Sequence, residues 1–167
     1  MYSELESINK LIFKPLGIVL TNVAAELESK EYFAHKFQIN GQHVIFRCAK
    51  ITPTKIGQFV TIWKRDDNGI TQPFDLHDDF NFCIITARKN ENFGLFIFPK
   101  LVLYHNKILS DNTRDGKRGI RVYPTWDLTA NKQAQKTQLW QTEYFIALSK
   151  NEEIDFETVK KLLTMEN

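Results

Sequence analysis

Between residues 33 and 48 the chain alternates with a period of two: Phe33, His35, Phe37 and Ile39 share one phase, Asn40-Gly41 follows, and Val44, Phe46 and Cys48 resume the alternation. That period belongs to a strand with one buried face, and Asn-Gly supplies the two positive φ angles that a type I′ hairpin turn demands. A helix would scatter the same apolar side chains around its circumference. The segment therefore commits the chain to an antiparallel hairpin and so to a sheet.

Further β-rich runs supply the partners. Gln58 to Arg65 reads as a third strand closed by the turn Asp66-Asp-Asn-Gly69, residues 80–88 and 94–98 as an antiparallel pair, and 120–123 as a short strand after the polar loop Asp111 to Gly119. The period lengthens near both ends. Ser3 and Glu6 form a capping-box pattern ahead of Leu5, Ile8, Leu11 and Ile12, with Pro15 and Gly17 as the stop. Ile18-Val-Leu20 is open between strand and helix, and Ala24 to Glu28 reads as a second helical stretch. Pro99 opens a short helix through Leu103, residues 131–148 read as the longest helix, and Asp155 caps a last amphipathic one through Val159, Leu162 and Leu163. The expectation is one α+β domain over 1–167, with a mostly antiparallel sheet of about five strands backed by N- and C-terminal helices. A length of 167 residues, with 43% hydrophobic and 25% charged, fits a single globular domain. No apolar run approaches the roughly 20 residues that span a bilayer, and the first residues lack a basic leader, so no membrane partner and a cytoplasmic address are expected. Cys48 and Cys83 form no CxxC pair and no disulfide framework, and Cys48 alternates as a small buried residue would.

A net charge of +2 conceals strong blocks. Residues 41–65 carry Arg47, Lys50, Lys55, Lys64 and Arg65 with no acid, and 112–142 carries six basic groups against Asp115 and Asp127, while 66–92 and 143–167 are acidic. Either the two basic stretches share a face, or each is a solvated face with neighbours of opposite sign. Both contain groups suited to phosphate and bases. Around Lys50 to Gln58, two lysines, the hydroxyls of Thr52 and Thr54, and Gly57 lie without a carboxylate, although the spacing is not that of a P-loop and no helix follows. From Gly116 to Trp126, Arg118 and Arg121 offer planar forks, and Tyr123 and Trp126 offer stacking faces or core anchors. On the 131–148 wheel the inner face turns polar toward its N-terminus, through Gln133, Ala134, Thr137 and Gln141. Buried amides need partners, so this end faces either a hydrogen-bonding network or a polar cleft.

The segments Phe46 to Arg65, Lys117 to Trp126 and Asn131 to Gln141 resemble the MepB-like family, and the likeness runs from about Tyr32 to Phe145. The resemblance implies a compact cytoplasmic bacterial protein, in a family named for a member encoded beside a multidrug efflux pump and its repressor. It also implies an α/β core like that of restriction endonucleases and some form of nucleic-acid binding.

A metal-dependent nuclease of that kind needs strand carboxylates for Mg²⁺ and a neighbouring lysine. Asp75, Asp78 and Asp79, with Glu26, are the candidates for the first. Phe98-Pro-Lys100 lacks the carboxylate of an (Asp/Glu)-x-Lys motif, and Arg47-Cys-Ala-Lys50 lacks it too. His35, His43, His77 and His105 have no zinc-site spacing, and no GxSxG or GxGxxG motif is present. No catalytic residue, metal or cofactor is assigned. The expected function is non-catalytic binding of nucleic acid or a nucleotide. Lys50, Lys55, Lys64, Arg65, Lys117, Arg118, Arg121 and Lys132 would contact phosphate; Thr52, Gln58, Gln133 and Thr137 would hydrogen-bond; Tyr123 and Trp126 would stack. The alternatives are the Mg²⁺-dependent nuclease and a small-molecule-binding or interaction protein tied to multidrug efflux.

Overall fold

The computed structural model describes residues 3–165. The hairpin forms as the alternation requires: β2 (His35–Ile39) and β3 (Gln42–Cys48) pair antiparallel from His35↔Phe46 to Ile39↔Gln42. Asn40 (φ 49°) and Gly41 (φ 75°) make the turn. β1 (Leu20–Ala25) lies outside β2. On the inner side β3 runs parallel to β8 (Phe82–Lys89), with Val44 opposite Phe82 and Cys48 opposite Thr86. β9 (Asn92–Pro99) then pairs antiparallel with β8, and β11 (Phe145–Ala147) closes the six-stranded order β1-β2-β3-β8-β9-β11.

Both faces of this sheet are covered, so its central strands read as near-continuous apolar runs. One face takes the terminal helices. α1 (Ser3–Ile8), its π-helical continuation through Phe13, and α4 (Phe156–Leu163) bury Leu5, Ile8, Phe13, Val159 and Leu162 against Phe37, Phe46, Ile84 and Ile97. Gly17 (φ 70°) ends the first helical segment, and the Asp155 carboxylate caps α4 by accepting from the Thr158 N–H at 3.0 Å. The other face takes a three-stranded sheet of β4 (Lys50–Ile51), β5 (Gln58–Thr61) and β10 (Gly119–Val122), together with α2 (Lys100–His105). Val60, Ile120 and Val122 of that sheet pack on Ile45, Ile85, Phe96 and Phe98. α3 (Lys132–Gln141) docks beside β10, and a ribbon of β6 (Trp63–Arg65) with β7 (Thr71–Pro73) completes the fold.

Three elements differ from the sequence expectation. Ala24 to Glu28 is not helical: β1 extends to Ala25 on the open edge of β2, with a register shift between Thr21 and Ala24 where Asn22 takes φ 53°. Pairing at an available sheet edge outweighs the helix preference of Ala and Glu. The 131–148 helix stops at Gln141, passes through a 3-10 turn at Thr142–Tyr144, and becomes β11. Gly94 makes room for that strand, since a Cβ there would lie 2.4 Å from Phe145 Cζ. The 58–65 segment is two strands in different sheets, divided at Ile62, whose N–H donates to the Arg118 carbonyl at 2.8 Å. Among the described residues, no helix is long and apolar enough to cross a membrane.

Candidate functional site: a basic cleft between the small sheet and helix α3

β10 pairs antiparallel with β5, setting Arg121 opposite Phe59 and Gly119 opposite Thr61. Because the pairing is antiparallel, the loop before β5, which carries Lys55, lies beside the end of β10 and Tyr123, so that Arg121 of the second basic stretch is brought next to the first. Gly57 (φ +82°) permits the closest approach. A Cβ there would meet Tyr123 Cδ1 at 2.7 Å and the Val122 carbonyl oxygen at 2.9 Å. Gly57→Ala is expected to cost about 1–3 kcal/mol through backbone strain and this overlap, read as a lower urea midpoint; an unchanged midpoint would mean that the loop yields freely.

Helix α3 forms the opposite wall. The Asn131 carboxamide oxygen caps it by accepting from the Ala134 N–H at 2.8 Å. Gln141, almost fully buried, behaves as a substitute strand along the free edge of β10. Its Oε1 accepts from the Tyr123 N–H at 2.8 Å and its Nε2 donates to the Arg121 carbonyl at 3.0 Å. Gln138 Nε2 donates to the carbonyls of Pro124 and Asp127, both at 2.9 Å. The polar stripe of the helix thus divides: Gln141 is tied to the β10 backbone at the back of a cleft that Gln133 and Thr137 also line, and Gln138, outside the stripe, ties the helix to the 124–127 corner.

The cleft, of about 420 Å³, brings together Lys55, Lys117, Arg121, Tyr123, Gln133 and Thr137, with Phe59 and Trp140 as additional aromatic walls. Arg121 is held before any ligand arrives. Its Nη1 donates to the Ile56 and Gly57 carbonyls, both at 3.3 Å, and its Nη2 to Thr52 Oγ1 at 2.8 Å. Among the described residues, no carboxylate forms an ion pair with Lys55, Lys117 or Arg121.

The remaining expected site residues lie elsewhere. Thr52, Gln58 and Trp126 line a second cavity of about 520 Å³, which shares Lys55 with the basic cleft. Lys64 is paired with Asp78 at 2.6 Å, and Arg65 with Glu28 at 2.7 Å. Arg118 donates to the Thr71 carbonyl at 3.0 Å and lines a small hollow with Trp63. Lys50 sits over the Tyr32 ring at 5.1 Å, and Lys132 is exposed on the first turn of α3. Phe59, Trp140 and Asn131 of the cleft were not expected from sequence; the N-cap position of Asn131 was their only local signal.

The carboxylates considered for a metal are engaged in other contacts. Glu26 pairs with Arg47 and, at 3.3 Å, with Lys36; Asp79 faces His43 at 3.4 Å. Asp78 also accepts from the Asp75 N–H at 2.7 Å. The His77 N–H, bonded to Asp75, holds that carboxyl below the usual carboxylate range. Among the described residues, no group of three or more His, Cys, Asp or Glu is placed to hold a metal ion. Burial pushes both thiols, Cys48 and Cys83, up to about 12, so neither is an activated nucleophile near neutral pH.

Residues 26–147, a span that contains the whole cleft, match the family model for MepB-like proteins. Among solved structures, a crystal structure of MepB superposes with a TM-score of 0.77 at 32% sequence identity, covering 92% of this chain and 100% of that one. No curated protein matches the chain. The family model matches well over half of the chain and the structural relative is 32% identical over nearly all of it, and on both grounds the chain belongs to the MepB-like family.

Proposed function

We propose that this protein binds nucleic acid or a nucleotide in the cytoplasm, without cleaving it, through the cleft of Lys55, Lys117 and Arg121. One observation carries the reading: three cations from two separate segments surround one hollow, and none is paired with a carboxylate among the described residues. Elsewhere in the same basic stretches Lys64 and Arg65 are neutralised by Asp78 and Glu28, whereas Lys50, Arg118 and Lys132 lie outside the hollow. Arg121 would meet a phosphate with a fork already oriented by Thr52 and the 56–57 carbonyls, which lowers the entropy lost on binding. Tyr123, Phe59 and Trp140 supply apolar and aromatic wall, and Gln133 and Thr137 supply hydrogen bonds at the rim. A hollow of this size suits one nucleotide at a time, favouring free nucleotides or a single strand over a duplex.

Fluorescence anisotropy with labelled single-stranded and duplex DNA and RNA tests the reading across a salt series. With three phosphate contacts, log K for a single strand should fall against log[salt] with a slope of about −2. Salt-independent binding, or no binding at low salt, would overturn the assignment. Cleavage in the presence of Mg²⁺ that disappears in Asp79→Ala would overturn its non-catalytic half.

A further inference from the structure

We propose that the basic cleft is one end of a track that continues over the outer face of the small sheet to Trp63 and Arg118, so that the ligand is a single strand of two or more nucleotides rather than a free nucleotide; this rests on the reading above and narrows its substrate. Val60, Ile120 and Val122 turn into the core, so the alternation of β5 and β10 puts Phe59, Thr61, Gly119 and Arg121 on the opposite, outward face, where all four are partly exposed. The register sets Arg121 opposite Phe59 and Gly119 opposite Thr61. The two pairs form successive rows about 7 Å apart along the strands.

At the second row lies the small hollow of about 190 Å³, lined by Phe59, Thr61, Trp63, Thr71, Arg118 and Gly119. It adjoins the basic cleft, with which it shares Phe59 and Gly119. Gly119 keeps that junction open, since a Cβ there would lie 2.6 Å from Phe59 Cζ and displace the ring. Both aromatic walls are held before a ligand arrives. The Tyr32 ring stands edge-on to Phe59 at 6.1 Å, and the Arg121 guanidinium is 6.0 Å from the Phe59 centroid. The Arg65 guanidinium lies 5.1 Å from the Trp63 centroid and is itself fixed by Glu28 and by the Gly69 carbonyl, each at 2.7 Å.

The second hollow lies below the roughly 300 Å³ at which pockets enclose a whole drug-sized ligand, so it suits a base and not a complete nucleotide. Its cation comes from the same turn as one of the cleft's: the consecutive Lys117 and Arg118 line one hollow each. Arg118 is exposed and anchored by the Thr71 carbonyl, and among the described residues no carboxylate forms an ion pair with it. Two hollows side by side, each with an aromatic wall and a cation, repeat one demand, a planar ring beside a phosphate. One step of an extended strand bridges the separation between the rows. In a duplex both faces of a base are covered by its neighbours, so only an unpaired base can stack on Phe59 or Trp63.

Calorimetric titration at about 50 mM salt with thymidine monophosphate, with oligothymidylates from the dimer to the pentamer, with the matching uridylates and with a DNA duplex is the test. The dimer is the shortest probe that reaches both hollows, and it should bind about fivefold or more tightly than the monophosphate, the gain expected for one stacked base. Trp63→Leu should remove that gain and leave the affinity for the monophosphate unchanged. Arg118→Gln, an exposed change that decides the matter if Trp63→Leu does not fold, should make the salt slope for the pentamer shallower by about 0.7 and leave the slope for the monophosphate as it was. Equal affinities for the monophosphate and every oligomer overturn the track and leave the cleft as a nucleotide site. A length gain that survives both variants, or a duplex that binds as tightly as the pentamer, also overturns the track. A gain lost in Trp63→Leu but untouched by Lys55→Gln with Lys117→Gln supports the outer face and overturns the cleft. No binding of any probe overturns both.

Discussion

Replacing Arg47 with methionine should destabilise the fold by about 3–5 kcal/mol, the range for removing one partner of a buried ion pair. Arg47 is 0% exposed within β3, a central strand between β2 and β8. Its Nη1 donates to the Glu26 carboxylate and, at 2.9 Å, to the Phe46 carbonyl, while its Nε donates to the Thr61 carbonyl at 3.2 Å. One guanidinium thus joins the end of β1, its own strand, and β5, which carries part of the cleft wall. Methionine keeps most of the volume, so the expected loss comes from charge rather than from a cavity. It leaves Glu26, whose side chain is only 13% exposed, with Lys36 as its remaining cation. Urea unfolding followed by circular dichroism measures the effect. The double variant Arg47→Met with Glu26→Gln should recover much of the loss, since it removes the stranded charge as well. A single variant that loses less than about 1 kcal/mol, or a double that is no better than the single, would show that the pair contributes little.

The hairpin of β2 and β3 was legible because two independent local signals agree there, the period-two alternation and the Asn40-Gly41 turn. The α4 cap at Asp155 was legible for the same reason: the cap residue and the apolar spacing coincide. β11 was not, because Phe145 and Leu148 satisfy a helical wheel as well as a strand. What decides between them is Gly94 on another strand, far away in the chain. The end of β1 at Ala24-Ala25 is not legible as strand because β1 is an exposed edge strand, and burial leaves no pattern in its sequence. Its conformation comes from the free edge of β2, which no property of Ala24 to Glu28 records.

The candidate site shows the same division at the level of charge. Counting along the chain finds the two basic stretches but not the partners that distant segments provide. Lys64 and Arg65 look no different from Lys55 in sequence; they differ because Asp78 and Glu28 reach them and, among the described residues, no carboxylate pairs with Lys55. The convergence of Lys55 and Arg121 depends on the β5–β10 register, a long-range pairing. Asp127 reads in the sequence as one of two acids diluting a basic stretch; only the fold shows that it is buried, with Lys89 3.9 Å away.

This distinction between paired and unpaired cations allows a charge-matched experiment. Lys55→Gln with Lys117→Gln removes two positive charges from the cleft, and Lys64→Gln with Arg65→Gln removes two from groups already engaged by carboxylates. If single-stranded nucleic acid is held by direct phosphate contacts, each lost contact should reduce affinity by about 0.7 decade at 0.1 M salt. The cleft variant should therefore bind about 25-fold more weakly, with a salt slope shallower by about 1.4. The control should change affinity by less than about twofold, because long-range attraction is screened within about 10 Å at that ionic strength. Anisotropy titrations at several salt concentrations, with unfolding midpoints as a check on folding, provide both quantities. Equal losses in the two variants would mean that net charge draws the ligand and that the cleft is not where it rests; an unchanged slope in the cleft variant would mean that Lys55 and Lys117 touch no phosphate.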